Sequence, residues 1–172
     1  MIFKTERLLI CSLQKSDSED FFDMMGNPNV MLPIPQKIMT KIESDAKLNE
    51  LLTTEESTSI KAWSVVEKKS NSFIGICALL KNNDDENEIA YRLREKYWGK
   101  SYGTEITKGL INFGFKNLNF DLLTADVNID NIKSVKILDK FFIRHKEFFN
   151  KQDNCYDRRY KLTKENWAKT SK

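Results

Sequence analysis

Between Glu88 and Val127 the chain changes its period twice, and that succession limits the folds open to it more than any other feature. Residues 88–93, EIAYRL, alternate as a strand does, with Ile89, Tyr91 and Leu93 on one side. The loop YWGKSYG follows, and it takes two of the chain's six glycines. From Thr104 the spacing is helical, with Ile106, Leu110 and Phe113 on one face, and residues 118–127 begin another strand. Strand, glycine loop, helix and strand in this order allow a parallel crossover. Small residues at the start of a helix leave N–H groups free to converge on an anion, where the helix end adds about half a positive charge. Neither GxGxxG nor GxxxxGK occurs, which excludes the dinucleotide and P-loop forms of such a cradle. A phosphate cradle of another kind, or a tight turn whose glycines serve packing, stays open.

The other segments supply the partners of this unit. ERLLICSL reads as a first strand, and KSDSEDFFDMMG as a helix capped by Ser16 or Asp17, stopped by Gly26, with Phe21, Phe22, Met24 and Met25 facing the core. NPNVMLPIP holds all three prolines and reads as irregular. Thr40 and Glu43 then make a capping box for a helix over residues 40–52. IKAWSVVE and SFIGICALL flank the polar KKSNS as an antiparallel hairpin, with Gly75 marking a bulge or a close backbone contact. KNNDDEN reads as a solvated loop, NIDNIKSVKILDKFF as a last helix with Val135, Leu138 and Phe142 inward, and HKEFF with CYDRRYKL as a closing hairpin. No repeat or linker interrupts the chain, so one α/β domain over residues 1–172 on a mixed sheet is expected.

Composition removes several classes of function. Apolar residues make up 40% and charged residues 31%, which suits a soluble core of enzyme size. The net charge of +3 is spread among acids without a basic stripe, so no nucleic-acid partner is expected. Cys11, Cys77 and Cys155 are odd in number and lack CxxC spacing, which argues against disulfides and zinc and for a reducing, cytoplasmic location. The single histidine, His145, sits among charges and reads as a surface residue. No run is long and apolar enough for a membrane span, so no membrane partner is expected.

EIAYRLREKYWGKSYGTEI resembles the coenzyme A loop of the GNAT superfamily of N-acetyltransferases, in the branch typified by the ribosomal-protein N-terminal acetyltransferases RimJ and RimL. TERLLI, NPNVM, FIGICAL, NIDNIKSVKILDK and KLTKENW stand in the family's order, so the resemblance covers nearly the whole chain. It implies a mixed, mainly antiparallel sheet of about seven strands flanked by about four helices, with a splayed parallel pair that takes acetyl-CoA as cosubstrate and no metal. The pantetheine arm would pair with backbone at Leu93. The pyrophosphate would rest on N–H groups of Gly99, Lys100, Ser101, Tyr102, Gly103 and Thr104, with Trp98 in the same cofactor-binding set. Gly103 is expected at a surface cleft, where a tryptophan would block phosphate and spare the fold. Asn131 would contact the pantetheine amides and Ser134 would face the coenzyme one turn later, although by themselves they read equally as a helix cap and a packing residue.

The implied reaction is direct attack of an amine on the acetyl thioester, without a covalent enzyme intermediate. Glu88 would take the amine proton through water, Ser134 would assist the departing thiolate, and a strand N–H near Leu93 would polarise the carbonyl. The plain reading of Glu88 is a strand-end acid in solvent. The acceptor would be a protein N-terminal α-amine or a small-molecule amine; the former, with a pKa near 8, is substantially neutral at physiological pH. Three departures stand out. Ser101 occupies a usual glycine position, which costs about 1–2 kcal/mol if the residue is left-handed. Phe142 and Ile143 replace a Gly-Phe pair, and Leu138 replaces the tyrosine that many members use as an acid. They leave open an alternative, a catalytically weak acyl-CoA-binding homologue that acts as a sensor or interaction module. A homodimer would be in keeping with the branch.

Overall fold

The computed structural model describes residues 1–53 and 61–170. Its strands are β1 (Phe3–Lys4), β2 (Leu8–Ser12), β3 (Lys61–Glu67), β4 (Ser72–Lys81), β5 (Asn87–Leu93), β6 (Leu122–Asn128), β7 (Ile143–Asn150) and β8 (Cys155–Thr163). They form one sheet in the order β1-β2-β3-β4-β5-β6-β8-β7, antiparallel throughout except for the parallel pair β5 and β6. The α-helices among the described residues are α1 (Ser18–Met25), α2 (Pro28–Met31), α3 (Lys41–Thr53), α4 (Tyr102–Asn112), α5 (Ile132–Leu138) and α6 (Lys164–Thr170). The expected mixed sheet is present, with eight strands in place of about seven and six helices in place of about four. The additions are short. β1 is two residues long, α2 grows inside the proline-rich segment expected to be irregular, and α6 covers the KLTKENW end.

Each difference has a local cause. In α2, Pro28 stands at the first helical position, where its missing N–H is no loss, and the Asn27 side chain accepts from Asn29 N at 2.9 Å. The Thr40–Glu43 capping box is present, with Thr40 N donating to Glu43 at 2.8 Å. After α4 the helix widens into a π-turn over Phe113–Asn117, where Gly114 lets Leu123 approach to 3.0 Å of its absent Cβ. The expected hairpins β3–β4 and β7–β8 form; Ile60, the expected first residue of β3, lies outside the described residues.

Alternation along the central strands divides the core in two. One face of the sheet packs Ile74, Cys77, Leu79, Ile89, Leu93 and Leu123 against Ile106 and Leu110 of α4 and Val135 and Leu138 of α5. The other sets Phe73 and Ala78 against Phe21, Met24 and Met25 of α1, Met31 of α2 and Leu48 of α3. β5 therefore presents Ile89, Tyr91 and Leu93 to α4 and α5, and Glu88, Ala90 and Arg92 to the opposite side.

Candidate functional site

The parallel pair β5 and β6 is closed at one end only. Its single register pair is Glu88 with Thr124. There the Thr124 hydroxyl donates to the Asn87 carbonyl at 3.2 Å and accepts from Asn82 Nδ2 at 3.1 Å. Beyond that pair the strands separate, and the β5 edge toward β6 is left open up to Leu93. The separated end leads into the loop that begins α4. Within the loop the N–H groups of residues 99–104 meet no acceptor among the described residues; the next one, Glu105 N, donates to Ser101 O at 3.2 Å. A run of unpaired amides at the N-terminus of a three-turn helix is an anion-binding arrangement.

The loop is held from both sides. Arg94, 5% exposed, pairs with Asp20 at 2.7 Å and Asp23 at 2.8 Å on α1, and its Nη1 donates to Phe73 O at 2.9 Å. Glu95 accepts from Asn27 and Asn29, each at 2.8 Å, which explains the asparagines around Pro28. On the far side Arg7 donates to the Lys100 carbonyl at 3.0 Å and pairs with Glu105 at 2.7 Å. Gly75 completes the clamp, because a Cβ there would stand 2.1 Å from the Arg92 carbonyl oxygen. Sequence reasoning missed Arg94 and Arg7, whose partners lie far away in the chain.

The residues singled out in the sequence fall around this opening. Ser101 is left-handed, with φ 62° and ψ 14°, so the conditional cost attached to it applies. Gly99 is left-handed as well, at φ 75°, with open space where its side chain would be. Gly103 departs from expectation. Its absent Cβ would lie 2.8 Å from the Tyr91 hydroxyl and 3.0 Å from Ile137 Cδ1, so this glycine is needed for helix-on-strand packing and does not stand at an open cleft. Tyr102 turns away and donates to Glu67, while Thr104 is half-buried on the first turn of α4. Trp98 donates its indole N–H to the Leu93 carbonyl at 3.1 Å and stacks under Lys133 of α5 at 4.9 Å. The Leu93 carbonyl is thus occupied from within the chain. Asn131 caps α5 by accepting from Ser134 N at 3.3 Å, and the Ser134 hydroxyl lies near that of Tyr91. Burial raises the Tyr91 pKa, so the phenol keeps its proton.

Glu88 is not a solvated strand-end acid. It is 9% exposed, on the face away from Tyr91, where the strands diverge. Burial first and the Asp126 charge second push its pKa from the ordinary 4.5 up to about 7, against the opposing pull of Arg159 and a hydrogen bond from the Asp126 N–H. Arg159, 2% exposed, is itself held by Asp126 at 2.7 Å and by Asp84. Asp84 and Glu86, expected in a merely solvated loop, bind Arg159 and Lys161 and fix that loop to β8.

Residues 7–141 match the family of the acetyltransferase (GNAT) domain. The chain belongs to the GNAT acetyltransferases. This acetyltransferase is similar to YnaD of Bacillus subtilis, an uncharacterised N-acetyltransferase, at 25% identity over 88% of this chain and 87% of the other. In fold it is similar to a GNAT acetyltransferase of Bacillus anthracis, with a TM-score of 0.82 at 22% identity over 94% and 98% of the two chains. It also resembles RimL, the ribosomal L7/L12 α-N-protein acetyltransferase solved with coenzyme A, with a TM-score of 0.77 at 13% identity over 94% and 97%. Family membership makes the chain an acetyl-CoA-dependent N-acetyltransferase. The open strand edge and the unpaired amides of residues 99–104 fit that cosubstrate. Among the described residues no helix is long and apolar enough to cross a membrane.

Proposed function

We propose that the acetyltransferase acts on a primary amine through the gap between β5 and β6, with Glu88 as base and Ser134 beside the leaving group. The observation that carries this reading is the placement of one protected carboxylate where the two strands part, at the inner end of a groove whose outer end presents unpaired amides. Bound acetyl-CoA supplies the activated acetyl thioester. Gly99, Lys100, Ser101, Tyr102, Gly103 and Thr104 offer their N–H groups to its phosphates, and Lys100 and Lys133 add positive charge nearby. Trp98 lines the passage, Leu93 and its neighbours on β5 supply backbone along it, and Asn131 orients the start of α5.

A carboxylate with a pKa of about 7 is half ionised near neutral pH, which suits a general base for an α-amine of pKa near 8. Glu88 takes one proton from the attacking nitrogen, directly or through water. Ser134 donates a hydrogen bond toward the departing sulfur, with the buried Tyr91 hydroxyl behind it. That pair offers hydroxyls from β5 and α5 where Leu138 leaves none. The α-amine of a protein N-terminus, in the manner of RimJ and RimL, is the acceptor class that needs the weakest base. The same reading extends to a cytoplasmic homodimer, with β7 as an edge strand that exposes Ile143 and Phe149. Calorimetric titration with acetyl-CoA, followed by a thiol-release assay against a panel of amines, tests it. Binding near micromolar with amine-dependent thiol release is expected; binding without release from any amine would favour the sensor alternative.

A further inference from the structure

The face of β5 that carries Glu88 carries one other charge, Arg92, with the small Ala90 between them. The Arg92 guanidinium lies 3.0 Å from the sulfur of Met25 and 3.4 Å from that of Met31, and it donates to Gln36 Oε1 at 2.8 Å. Among the described residues it makes no ion pair. Asp153, in the turn between β7 and β8, is the carboxylate whose charge reaches it, and Asp153 is held instead by Asn150 Nδ2 at 3.1 Å. The buried arginines that hold the fold are treated differently. Arg94 has Asp20 and Asp23, and Arg159 has Asp84 and Asp126. The Arg92 guanidinium is half-buried between two thioethers, with a neutral side-chain amide as its polar partner, and burial lowers its pKa to about 10. Among the described residues no carboxylate contacts Arg92, which lies on the strand face that holds the protected Glu88.

We propose that Arg92 receives a carboxylate of the acceptor, so that the substrate is an amine with a carboxylate several bonds from its nitrogen. This rests on the acetyl-transfer reading and names its substrate class. Glu88 and Arg92 stand four residues apart on one strand, about 13 Å between Cα atoms at a rise of about 3.3 Å. That separation exceeds the span of an α-amino acid's own amine and carboxylate. It suits an ω-amino acid or a peptide with an acidic residue close to its N-terminus. The planar guanidinium can take such a carboxylate in a two-bond fork, and its charge repels a polyamine. The phosphate cradle does not compete for it, because Arg92 points to the side of β5 opposite Tyr91 and α4.

Thiol-release kinetics on matched acceptors test the assignment: γ-aminobutyrate and ε-aminocaproate against n-butylamine, a Ser-Asp peptide against its Ser-Asn counterpart, and spermidine. Wild type is expected to prefer the carboxylate member of each pair by about tenfold or more in kcat/KM. Arg92→Met should bring that ratio close to one, chiefly through KM, and Arg92→Lys should restore part of it. Calorimetric affinity for acetyl-CoA should stay the same, and the Tm should hold or rise as an unpaired cation is removed. The two sources of carboxylate separate by which pair shows the larger ratio. A wild type that binds acetyl-CoA and acetylates both members of every pair equally would overturn this proposal alone. So would an Arg92→Met variant that weakens acetyl-CoA, or one that melts earlier and loses all acceptors alike, since Arg92 would then serve the cofactor or the fold. A wild type that binds no acetyl-CoA would overturn the acetyl-transfer reading with it.

Discussion

Glu88 shows how much one side chain's environment decides. Its folded pKa of about 7 lies above its ordinary 4.5, so the folded state holds this proton more tightly than the unfolded chain does. The stability it contributes is therefore complete below about 4.5 and is lost as pH rises through about 7. Catalysis runs the other way, because only the ionised form accepts a proton. The rate is expected to climb through an apparent pKa near 7, and Glu88→Gln should remove that limb while slowing turnover by about 10²–10⁴-fold above it. At low pH the variant and wild type should converge, since the wild-type carboxyl is protonated there. A pH–rate profile of each protein decides the matter, and parallel profiles would take Glu88 out of the chemistry. Ser101 allows a test of stability without chemistry. Glycine has no penalty at φ 62°, so Ser101→Gly should stabilise the fold by about 1 kcal/mol in a denaturant titration.

At the scale of elements, the loop before α4 works because other segments immobilise it. Arg94 ties it to α1 and to the β4 backbone in a nearly dry environment. Arg94→Met should lose about 2–3 kcal/mol of stability, since it removes the charge-assisted bonds to Asp20, Asp23 and the Phe73 carbonyl. It should also weaken acetyl-CoA, as calorimetry would show, because the amides of residues 99–104 would no longer be preset. Gly103 sets how closely α4 approaches β5. Even Gly103→Ala introduces a methyl 2.8 Å from the Tyr91 hydroxyl and should cost about 1–3 kcal/mol of stability, read as a lower Tm. A tryptophan at that position should prevent native packing, contrary to its expected tolerance at an open cleft.

Across the whole molecule, one sheet with a core on each face separates two tasks. The α4 and α5 side, with Tyr91 and Ser134, flanks the proposed coenzyme path, while the α1 and α2 side, with Glu88 and Arg92, faces the proposed acceptor. β5 contributes to both, and its alternation sends neighbouring residues to different chemistry. The parallel register of β5 and β6 ends after one pair because Thr124, Asn82 and Asn87 fasten the strands at that end alone.

Period, capping and turn residues were enough to read the crossover unit, both hairpins and the Thr40–Glu43 cap, because these depend on neighbours within a few positions. The loop over residues 99–104 was legible for the same reason, as was the conditional strain at Ser101. α2 and the π-turn after α4 were not, since a single cap and one close approach by Leu123 outweigh weak local preferences there. Contacts between distant segments fixed everything that gives the site its electrostatics. Arg94 and Arg159 find their acids 71 and 33 positions away, while Arg92, two residues from one of them, makes no ion pair among the described residues. Which carboxylate is dry, which guanidinium is unpaired and which glycine is needed for packing are properties of burial, and burial exists only once both faces of the sheet are covered.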